Sequence, residues 1–515
     1  MDPLYIGQWV IARNKPSVIF GNTVRKAVTA CGCWPWFPNP VQYAAVAAPK
    51  YSKDPQVERS LRFSVRDGVA YSVMTGMSES YFSAYAVFLR ATTAQIAFLA
   101  AIPPLLGSVA QLFSAWLARR MPRRKPIILI GVAWQLAMLL PMIWLPYLFP
   151  EQAVVLFIAC TILYFAAFNL ASPIWSSMMG DLVPERRRGR YFARRTRLMS
   201  LTAFAGLWLA GIVLHFGKLQ DQTRLAFLII FTAALVARLY SLTQIARMVE
   251  PPSTTALPEP LVRRDILRRL RHSQFARFSL FYSFLNVAVT IVAPFITVYL
   301  LRDLKFSYLQ FTTSAAMYVM AQFLTLNLWG RISDALGNRL ILVVTGSTIA
   351  VIPGLWLLST NFWYIVGLQI FGGLTWAGFS LSANNFIYDT VAPGKRATYM
   401  AFHNVLANAG IFVGSLLGGY LGTHFSATVS FFGHTIHWPS QLCWLFVLSA
   451  IARTTVALLF IPHLKEVRDV PQRSAGWLIF RVTQFHALAG LIFSIFPFGQ
   501  RPEHTTPTPH ADKSD

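Results

Sequence analysis

The chain has 515 residues, of which 55% are hydrophobic and 13% charged, against about 25% charged in an average soluble domain. That balance excludes a soluble globular enzyme. The net charge of +25 does not indicate nucleic acid either, because the basic residues stand in short connectors between apolar runs, where they face anionic lipid.

In chain order, residues 1–66 open with basic and Pro-rich pieces and lack the sustained apolar core of a secretory signal peptide. They are expected to form a poorly ordered cytoplasmic extension. A spanning helix needs about 20 mostly apolar residues with every backbone polar group satisfied internally. Twelve such segments follow: Gly68 to Leu89, Ala94 to Ala118, Pro126 to Leu148, Ala153 to Met179, Leu198 to Phe216, Leu225 to Ala246, Phe278 to Leu301, Tyr308 to Trp329, Leu340 to Leu358, Trp363 to Val391, Tyr399 to Thr423 and Ser440 to Pro462. The chain reads as an all-α polytopic membrane protein: a six-helix bundle over 67–249, a basic central loop over 250–276, a second six-helix bundle over 277–464 and a tail over 465–515. The tail's "WLIFRVTQFHALAGLIFSIFPFG" is interrupted by Arg481, Gln484 and His486, which suits an amphipathic helix lying in the interface.

Lys and Arg alternate between loops. They crowd the connectors after the second, fourth and sixth segments, the fourth carrying "PERRRGRYFARRTR" with seven arginines in fourteen residues. They recur after the eighth and tenth, whereas the intervening loops are poor in them. The basic side stays in the cytoplasm, so both termini are expected there. Four cysteines, Cys31, Cys33, Cys160 and Cys443, make no disulfide framework. The first two, in "CGCWPW", lack the further Cys or His that a metal site would need.

The chain also repeats itself. A shift of 208 residues aligns Asp181 with Asp389, Arg188 with Arg396, Tyr191 with Tyr399, Gly206 with Gly414 and Gly211 with Gly419, and a shift of 215 aligns Arg238 with Arg453. Six spans per copy is an even number, so the copies form a parallel repeat, an arrangement used for alternating access about a midplane site.

With these features the sequence resembles the major facilitator superfamily over Gly68 to Pro462. Beside the twelve spans and the basic central loop, "GRISDALGNR" is similar to the family's signature loop, with Gly330, Asp334, Gly337 and Arg339 at its glycine, acidic, glycine and basic places. "GIFVGSLLGG" presents a small-residue face that lets helices approach closely. The resemblance implies that these loops gate the carrier. It departs in the first half, where "AWLARRMPRRK" puts Arg119 at the acidic place and leaves a symmetrical pair of gating ion pairs in doubt. The fourth span has no charge and the fifth no proline, unlike the family's proton-coupled drug exporters.

An ionisable group inside a span costs about 2.5 to 3.5 kcal/mol on the insertion scale. Glu79 is the leading case, about 16 Å into the first segment and on one polar face with Ser72, Thr75, Gly76 and Ser83. A carboxyl group in a partly dehydrated cavity suits a site that loads and releases a proton, or one that binds a substrate cation. Further cavity-lining candidates are Asn169 and Trp175 in the fourth segment, Asn286 in the seventh, Tyr318 and Gln322 in the eighth, Gln369, Trp376, Asn384 and Asn385 in the tenth, and Asn404 and Asn408 in the eleventh. Such amide and aromatic groups suit hydroxyls and ring faces of a polar organic solute. His403 is expected to be an interfacial polar residue. Arg238 and Arg453 are expected to be structural, snorkelling or reaching Asp181 or Asp389. Asp181, Arg188, Asp389 and Arg396 are expected to belong to a cytoplasmic gate, some of the loop arginines pairing across the inner ends of helices.

No enzyme motif is found. The expected protein is a secondary transporter of a small organic solute in a bacterial inner membrane, a proton symporter working as a monomer among anionic lipids. It needs no cofactor, no metal and no nucleic acid, and an ion gradient supplies the energy. Efflux of amphipathic compounds is the alternative within the class; a non-transporting sensor or assembly factor is the alternative outside it.

Overall fold

A computed structural model describes residues 51–121, 123–184, 187–251, 273–391, 396–425, 428–431 and 434–466, all within one compact unit that begins at Tyr51. The first fifty residues, most of the central loop and the tail with its expected interfacial helix lie outside the described residues.

Helix α1 (Pro55–Met77) begins thirteen residues before the expected first span. Its start is written in capping chemistry: the Asp54 carboxylate accepts from the Gln56 backbone N–H at 2.8 Å, and Pro55 sits where a helix needs no donor. Glu58 accepts the N–H groups of Tyr51 and Ser52 at 2.8 and 3.0 Å. Residues 55–66, expected to be poorly ordered, therefore form the first three turns of a helix. It breaks at Ser78, passes through the 3-10 turn Glu79–Tyr81 and resumes as α2 (Phe82–Phe88). The Met74 carbonyl accepts both the Ser78 backbone N–H at 2.9 Å and the Ser78 hydroxyl at 2.8 Å, a local side-chain bond of the kind that bends helices.

The first half continues with α3 (Thr93–Arg120), α4 (Lys125–Leu148), α5 (Ala153–Leu182), α6 (Arg188–Leu219) and α7 (Thr223–Ala246). The second repeats it: α8 (Gln274–Thr290), a 3-10 turn Ala293–Phe295, the short α9 (Ile296–Val298) and a π turn Tyr299–Asp303 together make the seventh span. Then come α10 (Tyr308–Leu336), α11 (Asn338–Leu355), α12 (Phe362–Thr390), α13 (Arg396–His424) and α14 (Cys443–Phe460). Ten of the twelve spans are long and apolar enough to cross a membrane by length and composition. The two that fall short are α1–α2, which carries charges on every early turn, and α10, which carries the amides and hydroxyls of the eighth segment.

The repeat reaches into backbone detail. Arg90 and Lys305, 215 residues apart, both adopt left-handed φ, 62° and 55°. Two residues on, Thr92 with Gln95 and Ser307 with Gln310 form the same capping box at the starts of α3 and α10. The sequence reading did not anticipate one element: between α13 and α14, β1 (Thr428–Phe431) and β2 (His434–His437) pair antiparallel, with Thr428 opposite His437.

Close approach is made by small residues. A Cβ on Gly410, Gly414 or Gly418 would collide with the backbone carbonyls of Ser283, Val287 and Ile291 respectively. This i, i+4 stripe lays α13 directly on α8, as the small-residue face predicts, and Gly76 meets the Ala203 carbonyl of α6 likewise.

The apolar cores of the halves merge at one end. The largest core cluster gathers residues of both, including Tyr81, Ala97, Leu214, Phe295, Tyr308 and Phe311, at the end away from the basic loops. At the basic-loop end the halves keep separate cores, one within residues 51–248 and one within 275–464. The exposures agree: Ile96, Ala97 and Ala101 of α3 are buried, whereas Val109 and Phe113 further along are more than half exposed. The molecule is thus sealed at the far end and diverges toward the basic loops.

Candidate functional site: a buried polar line in the first half

Glu79 lies in the break between α1 and α2, half-buried, and Tyr164 of α5 donates its hydroxyl to the Glu79 carboxylate at 2.6 Å. The break is what makes this possible, because the 3-10 turn re-aims Glu79 off the α1 face and leaves part of it open. Tyr164 itself is fully buried and meets the Phe82 and Phe165 rings edge-on, and Phe82 in turn packs on Phe157 and Phe231. Ser80, beside Glu79, is exposed.

A second set of charges runs from Glu79 toward the basic loops. Asp67, about three turns back along α1, accepts from the Ser241 hydroxyl at 2.7 Å and meets Arg195 of α6 at 3.4 Å. Arg238 of α7 donates to the same Ser241 at 2.9 Å and to the Gln135 side-chain oxygen of α4. Its guanidinium also lies over the Tyr71 ring, 5.1 Å from the centroid. Asp67 and Arg238 are each 4% exposed. A buried charge persists only when paired and hydrogen-bonded, and here one carboxylate and two arginines share the pairing across α1, α4, α6 and α7. Arg238 thus reaches neither Asp181 nor the interface.

Arg453, its counterpart, donates to the Ile349 carbonyl at 3.2 Å and the Val289 carbonyl at 3.4 Å. It neither snorkels nor reaches Asp389. His403 is 5% exposed, held to Ser279 at 3.1 Å and packed on Tyr282, so it belongs to the α8–α13 interface and not to the membrane surface.

The other candidates sort into three groups. Thr75, Ser83, Asn286, Gln322, Gln369 and Asn404 are half-buried, as a cavity wall requires, with Thr75 turned back to the Ser72 carbonyl at 3.0 Å. Asn408 crosses the halves to Ser108 at 2.6 Å, and Asn169 packs over Gly107 of the same α3 while donating to the Phe165 carbonyl at 2.9 Å. Tyr318 packs on Gly372, and Trp376 meets Phe379 edge-on. Trp175 is instead taken up by Arg195, whose guanidinium lies 4.4 Å over its ring. Asn384 is exposed and bonded within its own helix.

At the basic-loop end Asp181 pairs with Arg124 at 2.7 Å, and Arg188 donates to the Gly180 carbonyl at 2.7 Å. In the second half Asn338 donates to Asp389 at 2.8 Å and accepts from Ser333 at 2.6 Å, with Asn385 also reaching Ser333 at 3.4 Å. Arg339 donates its backbone N–H to Glu466 at 2.7 Å, and Arg124 donates its own to Glu250. The two ends share a plan, with Arg124 at Asp181 in the first half and Asn338 at Asp389 in the second. Gly330 is half-buried, Asp334 exposed, and Gly337 takes φ 80° to cap α10, a conformation that glycine adopts without strain. The Arg396 and Arg119 side chains lie outside the described residues.

Sequence reasoning missed Asp67, Gln135, Tyr164, Arg195 and Arg124. Asp67 fell one residue before the expected first span. Gln135 was legible, an amide within the otherwise apolar "GVAWQLAMLL".

The family profile described as Major Facilitator Superfamily matches residues 68–295 and again 278–500, once per half. The chain belongs to the Major Facilitator Superfamily. Major-facilitator transporters of known structure share the fold: the nucleoside transporter NupG (14% identity, 79% of this chain and 100% of that one, TM-score 0.62) and a D-xylose-proton symporter (12%, 80% and 98%, 0.59). A probable sphingolipid transporter, spinster homolog 3 of Arabidopsis thaliana, is 33% identical over 78 residues, 15% of each chain. The major-facilitator assignment makes this chain a multi-pass membrane transporter of some solute, built from twelve spans in two six-helix repeats.

Proposed function

We propose that the protein is a proton-coupled symporter of a small polar organic solute, with Glu79 as the proton-loading group and the half-buried amides and aromatics of both halves as the solute wall. The observation that carries this reading is the Glu79–Tyr164 hydrogen bond at the break of the first span. A carboxyl group held there by a hydroxyl donor, with Ser80 exposed beside it, can exchange a proton with the space between the halves. The wall chemistry suits hydroxyls and ring faces, in keeping with the nucleoside and D-xylose carriers that share the fold.

In this reading the basic-loop end is cytoplasmic, so the conformation described is inward-open, with both termini inside a bacterial inner membrane. The carrier works as a monomer, without cofactor, metal, nucleic acid or enzymatic step. An ion gradient drives it, and the basic loops rest on anionic lipid. The test is uptake into proteoliposomes with and without an imposed proton gradient, using a solute found by thermal-shift screening of sugars, nucleosides, amino acids and carboxylates. Glu79→Gln should lose gradient-driven accumulation while keeping solute binding. Unchanged accumulation in that variant would overturn the assignment.

A further inference from the structure

A groove runs down the outer face of the first half between α1 and α7. Its walls are Val69 and Val73 from α1 and Ile229, Val236 and Tyr240 from α7, with Arg66 at one end. Ile229, Val236 and Tyr240 are 45%, 59% and 47% exposed, so the groove opens outward, away from the space between the halves.

Its two ends differ in chemistry. Toward the far end it is aliphatic apart from Thr232. Toward the basic-loop end the same face of α1 continues as Arg66, Arg62 and Arg59, since positions 59, 62, 66, 69 and 73 fall within one stripe of a 3.6-residue helix. On α7 the face continues through Tyr240 and Thr243 to Arg247, which is exposed. The two helices run antiparallel here, and the Val249 N–H donates to the Ser60 hydroxyl at 3.0 Å, so Arg247 stands level with these arginines. Two acidic side chains lie nearby among the described residues: Glu58, 3.6 Å from Arg62, which already accepts the Tyr51 and Ser52 N–H groups, and Glu250, which lines a pocket with Arg247 and accepts the Arg124 backbone N–H. The arginines outnumber them, and Arg66 has no carboxylate partner among the described residues, so the rim keeps a net positive charge.

We infer that this groove is a binding site for one anionic glycerophospholipid of the surrounding bilayer, an acyl chain lying along Val69, Val73 and Val236 and the phosphate headgroup held by Arg66 and Arg62 with Arg247. The length supports it. From Leu228 to Tyr240 the α7 wall runs about 18 Å, the scale of one leaflet's hydrocarbon. The charge complementarity supports it too, because a zwitterionic lipid would fill the aliphatic part but leave the arginine rim without a net counter-charge. The site is independent of which solute is carried and of how transport is coupled.

The test is native mass spectrometry of the full-length protein in detergent, titrated with phosphatidylglycerol or with phosphatidylcholine of the same acyl chains, following the first lipid retained. The wild type should retain phosphatidylglycerol at roughly tenfold lower concentration. Arg62→Gln with Arg66→Gln, both at exposed positions, should bring the two lipids level. Thr232→Trp, an exposed groove position, should weaken both lipids alike by obstructing the acyl chain. Equal retention of the two lipids by the wild type would overturn the inference, and so would an undiminished preference in the double arginine variant. Melting points of the variants within a degree or two of wild type would exclude misfolding as the cause of any loss.

Discussion

Arg238 and Arg453 stand 215 residues apart at matching places in the two halves, yet only Arg238 has a carboxylate within one bridging side chain, reaching Asp67 through Ser241. Arg453 ends on carbonyls, and its Nε has no partner among the described residues. The repeat preserved the arginine and diverged in what it serves. Removing one member of a buried paired set costs about 3–5 kcal/mol, because the others are left uncompensated. Arg238→Met should therefore lower the melting point clearly more than Arg453→Met, which removes a charge with no carboxylate partner among the described residues. Equal losses in thermal unfolding would show that the two arginines play the same part.

Asp67 belongs to the same set. Asp67→Ala leaves Arg195 and Arg238 facing each other without their anion, and a loss of several kcal/mol is expected. Arg195→Gln combined with Asp67→Asn should recover part of that loss, since the double change removes opposite charges together. A double-mutant cycle on the detergent-purified protein measures the coupling, and additive losses would contradict it.

The far-end seal is tested by adding bulk. A Cβ on Gly211 would collide with Thr312 of α10, and one on Gly419 with the Ala97 side chain of α3. Gly211→Val or Gly419→Val should push the halves apart at that end. A cysteine placed nearby, such as Ala101→Cys, should then label faster from outside, by tenfold or more. Labelling unchanged from wild type would mean that the seal absorbs the methyl groups.

At the basic-loop end, Arg124→Ala deletes the partner that Asp181 meets at 2.7 Å and the contacts to Ser177 and the Pro251 carbonyl. Asn338→Ala deletes its counterpart's bond to Asp389. The charged pair is the stronger of the two, so Arg124→Ala should impair transport and stability more than Asn338→Ala. Proteoliposome uptake and thermal unfolding of both variants decide it.

Much of this was legible in the chain. Span number, the parallel repeat and the α13 glycine stripe follow from hydropathy, from the 208- and 215-residue shifts and from spacing alone. What sequence could not supply was which side chain meets which. Glu79 stood out because a lone acid in an apolar run has one meaning, whereas Tyr164 is a residue that apolar cores use freely. Asp67 escaped because span ends blur by a few residues, and the true helix starts at Pro55. Arg188 was placed in the gate beside Asp181 by adjacency in the repeat. Distance along the chain says little about which arginine meets which acid when the stretch from Pro184 into the start of α6 carries seven of them and the loop before α4 carries Arg124 as well.

The seal itself has a further consequence. Gly211 against Thr312 and Gly419 against Ala97 are one contact made twice, since 211 and 419 differ by 208 and 97 and 312 by 215. The two stand on opposite sides of the axis that relates the halves, like a pair of bolts on a double door. Drawing one leaves the other shut, so a rocking motion about the axis must release both in the same step. A carrier latched this way is expected to switch all at once and to stay tight between switches. A chain with one bolt filed down, through Gly419→Val alone, should leak at rest before it gains any speed.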